Sequence, residues 1–338
     1  MSFLGLKVNS PPVVGAVGLT CVAALPFLKG TFETKSIPWV AVQGVNLCAF
    51  GISFWRVTQP GRSDAQSKKA SEKAPAPPAT ATATPQGKSK KKKKAAVSRV
   101  RTLFPPDGWS FVIWAPIFVG ECLMVGTQVA LPKTSPLVPI IREITGPYIF
   151  AKAFQILWTT SFQPEFTQGA YKYIAALNLS GIALSLSFCH QAYTNKAARD
   201  KYTMMDFLLN FLPLSLHFGW TTVTSLVNWN ASCAIEKDVS TKHLSYLGHL
   251  SVVAATVAGT GITLMRKAPL YGTVIAWALA AVASGLSKRI DGAEQEKRKD
   301  EAFLEAAKRQ KLLSIAGATL CGSAALWAAF GTKRTSSR

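Results

Sequence analysis

Apolar and polar stretches alternate along the chain on a scale far longer than one helical turn. Nine long apolar stretches stand out, at 12–28, 37–57, 109–130, 144–163, 173–193, 206–234, 244–265, 270–287 and 312–331. A helix that crosses the hydrocarbon core of a bilayer needs about 20 mostly apolar residues. Several stretches contain Pro, Gly, Ser and Thr, which bundled membrane helices tolerate because neighbouring helices satisfy the freed backbone groups. The pattern predicts an all-α, polytopic transmembrane helical bundle of about nine spans. Stretch 12–28 is short and carries Pro26. A signal-peptide reading is less suited to it, because Lys7 is its one n-region charge and no small-x-small cleavage site follows.

The polar segments divide the chain. Residues 1–58 hold two N-terminal spans. Residues 59–100 form a linker rich in Ala, Pro, Thr and Lys with almost no large apolar side chain. Such a composition cannot bury enough surface to offset its ordering entropy, so disorder is expected. Residues 101–287 hold six spans joined by short loops. The stretch 288–311, which includes GAEQEKRKDEAFLEAAKRQ, predicts a charged helix outside the membrane, with Glu294 and Arg298 four apart. Residues 312–338 supply a last span and a tail.

Charge sharpens this picture. The net charge is +21, although only 16% of residues are charged. Arg56 to Arg101 holds thirteen Lys/Arg against Asp64 and Glu72, a net of +11. Charge this segregated, in a chain 49% hydrophobic, argues against a nucleic-acid partner. The run Lys90 to Lys94 is expected to meet anionic lipid headgroups over 88–101, where each Lys or Arg is worth about 1 kcal/mol. If all nine segments cross, one side collects 25 Lys/Arg and the other twelve. The positive-inside rule then puts the N-terminus and linker on the cytosolic, stromal or matrix face.

An ionisable residue inside a span costs about 2.5–3.5 kcal/mol on insertion scales and is informative for that reason. Glu121 lies about twelve residues into its stretch and should face the bundle interior, as a titrating or ligand-contacting carboxylate or as a structural partner of Lys152. Lys152 itself has the alternative of snorkelling to an interface. His190 and His243 lie near span ends and are expected at the interface, whereas His217 and His249 lie within spans. A facing pair of histidines would suit haem or a metal, but the spacing does not set them face to face and no supporting carboxylate is evident. Trp39, Trp55 and Trp109 sit at span ends, as interfacial belts do. Trp114, Trp158, Trp220 and Trp277 lie deeper, as packing residues or as the wall of a pocket for a flat apolar ligand. No nucleophile elbow, P-loop, zinc-protease or paired acidic motif occurs, and no C-x-x-C pair among the six cysteines. The chain is therefore expected not to be an enzyme and to hold no metal.

Three segments carry a resemblance: FPPDGWSFVIWAPIF (104–118), FQILWTTSFQ (154–163) and LPLSLHFGWTTVTSLVNW (212–229). They are similar to the tryptophan-rich sensory protein and translocator protein (TspO/MBR) family, closer to its longer multi-span members than to the shorter ones. The matching positions are Trp109 and Trp114 after the Pro-Pro pair, Gln155 three residues before Trp158, and Trp220 eight before Asn228. The likeness covers about 37–235, five spans. It implies a five-helix bundle with an aromatic pocket for a tetrapyrrole, sterol or lipid, with porphyrin or haem as a bound ligand. The resemblance implies Trp114, Trp158, Trp220 and Asn228 for that pocket, and the convergent polar groups that the spans supply add Glu121, Gln155 and His217 as ligand-contacting candidates. Two other functions stand beside it: a scaffold that recruits membrane-protein partners through the basic linker, and a proton-coupled transporter using Glu121.

Overall fold

The computed structural model describes residues 2–3, 6–7, 9–28, 31–33, 36–59, 101–235, 238–295 and 301–331. The basic linker, with its Lys90–Lys94 run and expected disorder, lies outside the described residues, as does the Glu294–Arg298 pair. Apart from a two-residue antiparallel strand pair, Ser2–Phe3 with Leu6–Lys7, the described elements are helical. They are α1 (Pro11–Leu28), α2 (Trp39–Thr58), α3 (Trp114–Ala130), α4 (Val138–Thr160), α5 (Ile174–Thr194), α6 (Lys196–Arg199), α7 (Met204–Asn210), α8 (Leu212–Ala234), α9 (Thr241–Met265), α10 (Pro269–Gln295) and α11 (Glu301–Phe330). Each apolar stretch is helical. Six helices among the described residues, α2, α3, α5, α9, α10 and α11 with the 3-10 turns that lead into α3 and α5, are long and apolar enough to cross a membrane. Helix α1 is apolar but shorter. The helices α4 and α8 have 23 residues each but carry charged or hydroxyl and amide side chains, most of them turned into the bundle. The chain is an integral membrane protein.

Five helices close a ring in the order α2–α3–α8–α5–α4. These are the five of the expected 37–235 core. Helices α3 and α4 follow one another in sequence but do not pack side by side, because α2 stands between them. Their inward side chains therefore meet across the ring. Helix α1 packs outside, on α4 and α5. Helices α9, α10 and α11 pack on one another and join the ring through α8. Small residues let these three approach: a Cβ at Gly259 would stand 2.5 Å from Cys321 Sγ, and one at Gly317 would collide with Thr256. The small-residue faces at 255–259 and 317 thus make contacts within the chain.

Three element boundaries differ from the sequence expectation. The stretch 206–234 is divided at Phe211 into α7 and α8. Pro213, in the first turn of α8, has no N–H to continue a helix from α7. Helix α4 begins at Val138, ahead of the expected 144, because Arg142 is buried against the carbonyls of Phe32 and Ile37 at 3.2 and 2.9 Å. The charged stretch 288–311 is not a helix of its own among the described residues: 288–295 ends α10 and 301–311 begins α11. At 1.5 Å per residue the 30-residue α11 is about 45 Å long, against about 30 Å of hydrocarbon. Its charged end therefore emerges into water, where Glu305 and Arg309 pair at 2.5 Å.

The FPPDGW segment docks on α10. The Asp107 N–H donates to Ala281 O at 2.9 Å. The Asp107 carboxylate accepts from Ser284 Oγ at 2.6 Å and from Lys288 Nζ at 3.0 Å. These contacts, Ser284 first, hold the Asp107 carboxyl below the usual carboxylate range. Gly285 permits the approach, because a Cβ there would collide with the Pro105 carbonyl oxygen. Trp109 rests edge-on against Trp277, with ring centroids 4.5 Å apart. Both are partly exposed, so Trp277 is not the deep residue expected.

Candidate functional site

Four of the five ring helices turn a polar-studded face inward. On α3 the buried positions Ile117, Glu121, Val125 and Gln128 recur at helical spacing, and on α4 so do Tyr148, Lys152, Gln155 and Thr159. Helix α2 contributes Asn46, Phe50 and Ser53, and α8 contributes His217, Trp220 and Thr221. Neighbouring helices run antiparallel around the ring except α2 and α4, which run parallel, with Asn46, Ser53 and Arg56 beside Thr145, Gln155 and Thr160 in turn, and the inward faces stack into layers.

The middle layer holds the charges. Lys152 Nζ donates to Glu121 Oε2 at 2.5 Å and to Gln155 Oε1 at 3.2 Å. His217 Nδ1 lies 2.9 Å from Glu121 Oε1, and Ser53 Oγ donates to Gln155 Oε1 at 3.0 Å. Glu121, Gln155 and His217 are fully enclosed, and Ser53 and Lys152 are 1% exposed, so Lys152 does not snorkel. Its ammonium also faces the Tyr148 ring at 5.1 Å and the Phe50 ring at 5.9 Å. The structure thus supplies the carboxylate that was missing from the sequence reading of His217. A carboxylate can only accept, so His217 Nδ1 carries a proton, and in the neutral ring Nε2 has a free lone pair. That Nε2 is buried with no hydrogen-bond partner, as are Gln155 Nε2 and Trp220 Nε1.

Toward the end where the 59–108 segment attaches, aromatic rings cover this layer. Trp114 stacks on Phe118 and Trp158 with centroids 5.3 and 5.9 Å apart, and meets His217 edge-on at 5.5 Å. Trp158 in turn meets Phe162 at 4.9 Å. Toward the other end lies an amide layer. There Asn46 Nδ2 donates to Gln128 Oε1 at 3.0 Å and to Thr145 Oγ1 at 3.1 Å. Trp39, buried rather than interfacial, donates from Nε1 to Leu131 O at 2.9 Å.

Five of the seven residues expected at the pocket therefore meet around one centre: Trp114, Glu121, Gln155, Trp158 and His217. Trp220, one turn along α8 from His217 and edge-on to Phe111 at 5.5 Å, is fully buried. Asn228 is not. It lies two turns beyond Trp220, half-buried, and its amide donates to Thr224 O of its own helix at 3.0 Å. Sequence reasoning missed Asn46, Ser53, Gln128 and Thr145. A signal for them existed: Gln128 follows Glu121 by seven residues, Ser53 follows Asn46 by seven, and Lys152 follows Thr145 by seven, which is two turns on one helix face. The histidines do not pair. His249 contacts Gln310, and His243 is exposed beside Ser240. His190 is fully buried, not interfacial, and its Nδ1 accepts from Arg266 at 3.1 Å. The six cysteines are free, and no cluster of three His, Cys, Asp or Glu side chains that could hold a metal ion occurs among the described residues. Two cavities of about 490 Å³ each open at the end of the bundle away from the aromatic layer.

No curated protein and no solved structure matches the chain. A family model described as TSPO-like protein matches residues 79–291. The match reaches further toward the C-terminus than the motif likeness did, and takes in α3 to α10. It covers well over half of the sequence, including the α10 face on which the FPPDGW segment docks, and the chain belongs to the TSPO-like protein family.

Proposed function

We propose that this membrane protein binds or carries a hydrophobic ligand inside the five-helix ring, without converting it chemically. The observation that carries the reading is the set of unpartnered polar atoms beneath the stacked tryptophans. A buried polar atom without a partner costs about 1–3 kcal/mol, and here one acceptor (His217 Nε2) and two donors (Gln155 Nε2, Trp220 Nε1) are buried on the ring helices without one. Sparse polar groups in an aromatic surround orient a mostly apolar ligand. Tetrapyrroles, sterols and lipids are the ligand classes that the family resemblance implies. A haem would find in His217 an imidazole whose Nδ1 is held by a carboxylate and whose Nε2 lone pair is free, the arrangement that supports iron ligation. The same reading keeps the linker on the cytosolic, stromal or matrix side, its lysines on anionic headgroups.

The test is titration of the purified protein with protoporphyrin and with haem, read by tryptophan quenching and by the Soret band. Both ligands should quench, and Trp158→Ala should weaken both. His217→Ala should abolish the haem Soret shift while sparing protoporphyrin quenching. Absence of quenching by either ligand, or quenching indifferent to Trp158→Ala and Trp220→Ala, overturns the tetrapyrrole reading.

A further inference from the structure

The second cavity lies outside the ring, between the C-terminal end of α5, the short helix α7 and the turn from α9 to α10, with a volume of about 490 Å³. Its size is that of a small-molecule pocket. Its walls are apolar in effect, because their polar groups are already satisfied. The Tyr193 hydroxyl shares a hydrogen bond with Ser215 Oγ at 2.7 Å, and the Tyr202 hydroxyl donates to Tyr193 O at 2.8 Å. Phe207, Leu208 and Pro269 supply much of the remaining lining.

One group in the wall is not satisfied. His190 lines the cavity and is fully buried. Arg266 can only donate, so the 3.1 Å contact fixes the lone pair on His190 Nδ1 and leaves the proton on Nε2. That Nε2–H has no acceptor. An occupant that offers an acceptor oxygen at the depth of His190, with apolar surface around it, matches this lining.

The rim is cationic and lies beside apolar surface that faces outward. Arg199 and Lys267 both line the opening. Lys267 is the one non-glycine residue with positive φ among the described residues, at 46°. A lysine held in a conformation that favours glycine puts an exposed ammonium on a rigid turn. Next to it, Met204, Met205 and Leu208 of α7 are 74%, 62% and 43% exposed, so α7 presents an apolar side to the bilayer.

We infer that this cavity is a site for an anionic phospholipid. One acyl chain occupies the apolar cavity, an ester carbonyl accepts from His190 Nε2–H, and the phosphate sits beside Lys267 and Arg199. This site shares no residue with the ring cluster, so its test is independent of the ligand proposed there.

The experiment is native mass spectrometry of the full-length protein in mild detergent, titrated separately with dioleoylphosphatidylglycerol, dioleoylphosphatidylcholine and oleate. Wild type should retain the phosphatidylglycerol several-fold better than the phosphatidylcholine. Lys267→Gly, which suits the left-handed turn and so keeps the fold, should bring the two lipids to near parity. His190→Phe, which keeps a ring but loses the donor, should lower retention of both several-fold; if that variant fails to fold, Lys267→Gly decides. Equal retention of the two lipids by wild type, or a preference unchanged in Lys267→Gly, overturns the proposal. Retention of oleate in place of either phospholipid overturns the phospholipid assignment in favour of a free acyl carboxylate.

Discussion

Neutralising Glu121 should expose how much the ring depends on its buried charge layer. Glu121 and Lys152 are at most 1% exposed and meet at 2.5 Å across the ring, so neither has water as an alternative partner. Each ion lost several kcal/mol of hydration on burial, and only the partner and its hydrogen bonds offset that loss. Glu121→Gln keeps the size of the side chain and an acceptor oxygen but leaves the Lys152 ammonium without a counter-charge. Removing one partner of a buried pair costs about 3–5 kcal/mol, and placing an unpaired lysine at a span centre costs about 2.5–3.5 kcal/mol on insertion scales. The two routes agree near 3 kcal/mol, which is the loss expected for Glu121→Gln. Lys152→Met should cost less, because His217 still donates to Glu121 at 2.9 Å. The double variant, with both charges gone, should return to within about 1 kcal/mol of wild type. The assay is reversible unfolding in mixed detergent and dodecyl sulfate, followed by tryptophan fluorescence. If the two single losses simply add in the double variant, or if Glu121→Gln unfolds like wild type, the charge layer is not the coupled pair described.

Gly285→Ala puts a Cβ against the Pro105 carbonyl and 3.1 Å from Asp107 N, backbone atoms that cannot rotate away. It should lift the FPPDGW segment from α10 at a cost of about 1–3 kcal/mol, seen as a red shift of the Trp109 and Trp277 emission. The Asp107 carboxyl is held below its ordinary value, so its stabilising contribution is fully present above about pH 4 and is lost as pH falls through the lowered value. The stability difference between wild type and Asp107→Asn should therefore hold from pH 7 to about pH 4 and shrink below it; a difference that stays constant below about pH 4 refutes the assignment. Asn46→Ala removes the donor shared by Gln128 and Thr145 and should cost about 0.6 kcal/mol, with about 1.7 as the ceiling for such a bond between membrane helices.

Much of the fold was legible because hydrocarbon imposes a length and a composition on any helix that crosses it. The nine apolar stretches became helices for that reason. The misjudged boundaries are those where polar contacts outweighed hydropathy. Arg142 is carried into α4 by the carbonyls of Phe32 and Ile37, residues over a hundred positions earlier. Pro213 splits a stretch that hydropathy alone runs together. At the site, Glu121 stood out because a buried carboxylate is costly anywhere in a span. Asn46, Ser53, Gln128 and Thr145 did not, since a lone amide or hydroxyl in an apolar stretch is common and inexpensive. Asn228 was misplaced because a motif position fixes a residue's place in the chain but not the face of the helix on which its side chain lies.

The sequence by itself determined that this is a helical membrane protein, which helices carry charge and aromatic rings, and that most of the excess charge stays out of the spans. Those properties follow from local composition and the cost of desolvation. Only the tertiary structure decided that α2 separates α3 from α4, so that Glu121 reaches Lys152 and His217 across a ring. It also decided that the FPPDGW segment rests on a helix about 180 residues away, and that His190 keeps an unpaired N–H at the edge of a cavity. Which helices become neighbours depends on the fit of small residues and on polar groups finding partners where water is absent, and neither is written in the periodicity of any one helix.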